Sequence, residues 1–97
     1  ADRKICVPEE MEEQESFQVA KHHLDINHHV NNARYIKMAE EYLPENFKTE
    51  SIRVEYKKAA VIGNMLYPEV YEQQNGVTIV LADEQKVPYA IMQFRGK

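Results

Sequence analysis

The sequence predicts an α+β domain in which a curved antiparallel sheet of about five strands wraps one central α-helix. Three observations carry this. Only residues 33 to 43 show helical amphipathic spacing, nearly everything after them alternates in polarity like strand, and the strands are separated by short turn signals. One helix cannot cover both faces of such a sheet, but it fills the concave side of a strongly curved one.

In chain order, residues 1–15 (ADRKICVPEEMEEQE) lack clean periodicity and read as a linker segment, with one helical turn expected after Pro8. Residues 16–97 form the single domain. Phe17 and Val19 alternate in a first strand over 16–20. Tyr35, Ile36, Ala39, Tyr42 and Leu43 then recur at helical spacing, with Arg34, Lys37, Glu40 and Glu41 opposite, and Pro44 stops the helix. Ile52, Val54 and Tyr56 mark a half-buried strand with Arg53, Glu55 and Lys57 facing away, and Ala59 to Ile62 is expected to prolong it. A turn at Gly63-Asn64, a strand from Met65 to Glu72 and the hairpin signal Asn75-Gly76 follow. Val77, Ile79 and Leu81 alternate in the next strand, and Ala90, Met92 and Phe94 in the last. Pro68 and Pro88 suit an edge, a bulge or a strand start.

Composition narrows the function classes. A net charge of −4 argues against general nucleic-acid binding, because phosphate contacts need an excess of lysine and arginine that is absent here. No apolar run approaches the roughly 20 residues that span a bilayer, and nothing resembles a signal peptide. The single cysteine, Cys6, excludes an internal disulfide and fits a reducing compartment, so a cytoplasmic location is expected. Cys6 lies far from the histidines and reads as an incidental thiol rather than a nucleophile.

Chemistry concentrates between Lys21 and Asn32, KHHLDINHHVNN, where four histidines, one aspartate and three asparagines precede the helix. A metal centre is disfavoured, because adjacent histidines in an extended strand point to opposite faces and cannot easily converge on one ion. His22, His23 and His28 therefore read as ordinary polar residues. Asp25, Asn27 and His29 alternate, so an extended segment turns all three to one side. Asn31 and Asn32 can cap the helix, whose free N–H groups favour negative charge. That combination suits water attack on an acyl group. Asp25 and Asn27 bonding to nearby backbone N–H groups is an equally good account of the spacing.

LDINHHVNNARYI closely resembles the L-D-x-N-x-H-V-N-N-x-x-Y signature of the acyl-acyl carrier protein thioesterases. RKICVPEE resembles the linker between that family's two halves, and VEYKKAAVIGN its E-Y-x-x-E strand and turn. The resemblance implies a hotdog fold and hydrolysis of fatty acyl thioesters in fatty acid biosynthesis. Acyl carrier protein bearing a fatty acyl chain is the expected partner, with coenzyme A thioesters second. By position, Asp25, Asn27 and His29 fall on the family's catalytic residues: an acidic group and the histidine activate water, while the asparagine and helix-start N–H groups hold the thioester carbonyl. No cofactor is implied. Asn31, Asn32 and Tyr35 also match, and capping and packing explain them equally well.

Members of that family carry two hotdog domains in tandem, and the chain matches the carboxy-terminal one with its linker. It is thus expected to be the second half of a tandem parent that lacks its amino-terminal partner, or a single-hotdog protein whose copies pair as homodimers. The isolated 97 residues are expected to be weakly active or inactive. One departure stands out. Ala59 and Ala60 occupy positions where the family often has glutamate and, in plants, cysteine, and alanine can neither accept a proton nor attack a thioester. The competing expectation is a non-catalytic module that binds acyl groups or completes a double hotdog. Arg34, Lys37, Arg53, Lys57 and Lys58 are candidates for a docking surface toward acidic carrier protein.

Overall fold

The structure is a computed structural model that describes residues 11–20, 30 and 32–96. Among these are six strands and one helix: β1 (Glu12–Glu13), β2 (Phe17–Gln18), α1 (Asn32–Glu40), β3 (Thr49–Tyr56), β4 (Met65–Gln73), β5 (Gly76–Ala82) and β6 (Pro88–Gly96). All pairings are antiparallel. The sheet runs β1-β4-β5-β6-β3, and β2 joins the same side of β4 as β1. With one helix on one face, this is the hotdog arrangement expected from the sequence.

The period of two decides which side chains meet. Val54, Met92, Ile79 and Val70 form one row across four strands, flanked by the rows Ile52–Phe94–Val77 and Tyr56–Ala90–Leu81–Pro68. These rows face the helix, which contributes buried Tyr35, Met38 and Ala39 to the same cluster. Phe94, Met92, Ile79, Leu81 and Leu66 are fully buried there. On the other face, Val80, Ala82 and Ile91 form a smaller buried cluster, with Met11 packed against it. β5 is therefore buried on both faces, and its sequence VTIVLA is correspondingly almost continuously apolar.

The helix ends at Glu40, earlier than the expected Leu43. Amides of Glu41, Tyr42 and Leu43 instead reach back three residues, to Met38, Ala39 and Glu40, tightening the chain into a 3₁₀-like end before Pro44. Met38 is a core residue that the sequence pattern missed, while Ile36 only packs at the margin.

Two further expectations need correction. Residues 12 and 13, within the stretch read as linker, pair with Val70 and Glu69 as strand. Lys86, at the tip of the β5–β6 turn, binds this strand through Glu13 at 2.7 Å and reaches Glu69 at 3.8 Å. Second, β3 stops at Tyr56 and does not continue through Ala59 to Ile62. Amides of Lys57 and Lys58 both donate to the carbonyl of Tyr89, at 2.8 and 3.3 Å. Two residues on one acceptor break the ladder in the manner of a bulge, and the chain leaves the sheet.

The turns follow local chemistry. The β4–β5 hairpin turns on Gln74 and Asn75, with Asn75 at φ 86°, and Gly76 already pairs as the first residue of β5. A Cβ on Gly76 would sit 3.3 Å from the Phe94 carbonyl oxygen, so glycine permits the close strand approach. No helix among the described residues is long and apolar enough to cross a membrane.

Candidate active site

Asp25, Asn27 and His29 lie outside the described residues, as do Cys6, Asn31 and the other three histidines. The structure places the frame on either side of them. Before the polar stretch, buried Val19 donates its amide to Asn64 O at 2.9 Å and accepts from Gly63 N at 3.3 Å. After it, buried Val30 donates to Ala60 O at 3.0 Å. Both ends of the polar stretch are therefore tied to one short piece of chain, residues 60–64. Gly63 at φ 89° and the Asn64 side chain, which accepts from Val61 N at 2.9 Å, shape that piece into a tight turn.

The helix start is held to the same piece. Tyr35 lies one turn inside α1, and its hydroxyl accepts a hydrogen bond from Ala60 N at 2.8 Å. Tyr56, at the end of β3, packs its ring 6.0 Å from that of Tyr35 and donates its hydroxyl to Asn32 O at 3.2 Å. Burial raises both tyrosines above their ordinary value, so each remains a neutral phenol at neutral pH. Replacing the Tyr35 hydroxyl would strand the buried Ala60 amide, which costs about 1–3 kcal/mol for such a group.

Ala59 and Ala60 differ sharply. Ala60 is fully buried, whereas Ala59 is exposed, immediately beside the backbone that receives Val30. Glu55 does not stand in for the acidic group absent at Ala59. It is paired with Lys57 and alternates away from Tyr56, onto the sheet face opposite the helix.

Electrostatics also revise the docking surface. Lys57 is engaged by Glu55. Lys58 binds Asp83 at 2.6 Å and lies 4.7 Å over the Tyr89 ring, so each lysine already meets a carboxylate within the chain. Arg34 and Lys37 are exposed on α1. The Lys58 hydrogen bond is the first cause holding the Asp83 carboxyl below its ordinary 3.8, assisted by the amides of Val87 and Gln85. A lowered folded value means that the contribution is present above pH 3.8 and is lost as pH falls through the folded value. The melting temperature of the wild type is therefore expected to fall more steeply below that pH than that of Asp83→Asn. Parallel acid limbs in thermal melts of the two proteins would refute this.

A groove of about 600 Å³ lies at the opposite end of α1, lined by Glu12, Glu41, Tyr42, Val70 and Glu72 among others. Three carboxylates make it a poor receptacle for an apolar tail. Among the described residues no cluster of histidine, cysteine or carboxylate side chains could hold a metal ion.

Comparison with known proteins gives a consistent picture. Residues 7–95 match the family described as the acyl-ACP thioesterase C-terminal domain. An acyl-ACP thioesterase from Bacteroides thetaiotaomicron superposes with a TM-score of 0.77 at 16% identity, covering 96% of this chain and 42% of that one. The 12:0-ACP thioesterase from Umbellularia californica gives 0.78 at 19% identity, covering 89% of this chain and 35% of that one. The probable thioesterase YbaW from Escherichia coli gives 0.70 at 23% identity, covering 86% and 78%. The chain thus spans less than half the length of the first two. At these identities the likeness speaks for the fold. No curated protein sequence matches significantly.

Proposed function

The chain belongs to the acyl-ACP thioesterase C-terminal domain family, and from that premise we propose that it is the site-bearing half of an enzyme that hydrolyses fatty acyl thioesters on acyl carrier protein in fatty acid biosynthesis. The observation that carries the reading is the family match over residues 7–95, a span within which Asp25, Asn27 and His29 fall. In this reading residues 16–97 are the second hotdog of a tandem parent, residues 1–15 lead into it with Glu12 and Glu13 already paired to its sheet, and the protein works in the cytoplasm.

The chemistry assigned to the three residues balances simply. Asp25 orients His29, whose imidazole takes a proton from water as the water oxygen attacks the thioester carbonyl carbon. Asn27 and the N–H groups at the start of α1 stabilise the oxyanion. Collapse breaks the C–S bond, the imidazolium returns the proton to the departing sulfur, and fatty acid and carrier thiol leave.

The sheet edge supports a second hotdog beside this one. Among the described residues β3 pairs only with β6, and the helix lies over β5 and β6. On its helix-facing side Ile52 and Tyr56 remain about two-fifths exposed. An open ladder continued by half-exposed apolar side chains suits the edge strand of a neighbouring hotdog, either the preceding domain or a second copy.

The direct test is hydrolysis by the full-length polypeptide of octanoyl-, dodecanoyl- and palmitoyl-carrier protein against the matching coenzyme A thioesters. Carrier-bound substrates are expected to turn over faster, and no turnover of either kind would sink the proposal. Ala59 favours the alternative, a non-catalytic module that binds acyl groups or completes the double hotdog. Because Ala59 is exposed, glutamate fits there without disturbing the core. If Asp25 works without an acidic companion, Ala59→Glu is expected to raise kcat at least about tenfold, within the range of a positioned proton acceptor. An unchanged kcat would mean that this position has no part in proton transfer.

A further inference from the structure

Ala60 spends both of its backbone groups at the edge of the candidate site. Its N–H donates to the Tyr35 hydroxyl at 2.8 Å, and its carbonyl accepts from Val30 N at 3.0 Å. A continuing strand would have given the N–H a ladder partner. With β3 ended at Tyr56, a side chain supplies the acceptor instead. Tyr35 is 2% exposed and Ala60 fully buried, so water does not compete for this bond.

Tyr35 is itself fixed at two levels. Its ring packs against that of Tyr56, whose hydroxyl reaches Asn32 O at the first residue of α1. Asn32, Ala60 and Val30 are thereby joined around the packed pair of Tyr35 and Tyr56. Val30 follows His29 directly, and Asn32 opens the helix whose N–H groups face developing charge in the reading above.

We infer that Tyr35 is a positioning residue for acyl-thioester hydrolysis: its hydroxyl holds Ala60, and the Ala60 carbonyl in turn sets the backbone of Val30 immediately after His29. The inference rests on the assignment of His29 as the base. Phenylalanine at this position keeps the ring and its packing and removes only the acceptor, leaving the N–H of Ala60 buried and unpaired. A base displaced by about 1 Å can lose on the order of 10² in rate without loss of substrate binding.

In the full-length polypeptide, with dodecanoyl- and palmitoyl-carrier protein as substrates, Tyr35→Phe is expected to lower kcat by about 10- to 100-fold while KM stays within about twofold. Ile91→Val, which trims the cluster on the opposite sheet face, controls for stability: it lowers the melting temperature and leaves kcat and KM unchanged. Wild-type kcat in Tyr35→Phe, with His29→Ala inactive, overturns the inference and leaves the role of His29 standing. Full activity in His29→Ala removes that role, and the inference with it. Should Tyr35→Phe fail to fold, amide hydrogen exchange on the wild type decides. Slow exchange at both Ala60 and Val30 is expected, and exchange at Ala60 as fast as at an open amide overturns the inference.

Discussion

His29→Ala in the full-length polypeptide is expected to cut kcat for acyl-carrier hydrolysis by about 10²- to 10⁴-fold, the contribution of a positioned general base. Neither Ala59 nor Ala60 can accept a proton, Glu55 is paired with Lys57 on the opposite sheet face, and Tyr35 and Tyr56 are neutral phenols. Removal of the imidazole is therefore not expected to be rescued by these groups. Asp25→Ala is expected to fall in the same direction with a smaller loss, because water can still be deprotonated by a misoriented histidine. Both variants should bind substrate with KM close to wild type. Losses below about tenfold in both would overturn the assignment.

Phe94→Ala is expected to destabilise the domain by about 3–5 kcal/mol, the usual cost of emptying a buried phenylalanine site. Phe94 is fully buried between Ile52 on β3 and Val77 on β5, at the centre of a row that joins three strands. Strand backbones cannot collapse to fill the space without breaking register, so the cavity penalty is felt in full. Against a typical stability of about 5–15 kcal/mol, that loss leaves a marginal or unfolded chain. Thermal denaturation followed by circular dichroism checks it. At roughly 4–8 °C per kcal/mol for a domain of this size, a shift of less than about 10 °C would contradict the packing described.

Much of the fold was legible because periodicity reports burial directly. Val77, Ile79 and Leu81 alternate and all face the helix, as do Ala90, Met92 and Phe94. What misled was continuity of composition. Ala59, Val61 and Ile62 look like more strand, yet the two amides sharing the Tyr89 carbonyl end β3 at Tyr56, and no residue type announces a shared acceptor. Likewise Glu12 and Glu13 carry no strand pattern of their own. Pairing with β4 and the Lys86 ion pair hold them, both of which depend on residues more than fifty positions away. For the site, residue types and spacing singled out Asp25, Asn27 and His29. The frame of Val19, Val30, Ala60 and Tyr35 could not be read, because a tyrosine in a helical apolar stripe looks like packing alone.

The open edge of β3 carries a hazard as well as an opportunity. Among the described residues β3 pairs only with β6, and with Ile52 and Tyr56 showing on one side its outer edge makes a template on which an extended chain can add. Arg53 and Glu55 on the reverse side place charges of both signs along this edge, which disfavours stacking of like strands in a single register. With this edge left uncovered the domain would keep its core yet lose colloidal stability, so aggregation, rather than unfolding, is the first failure that the topology invites.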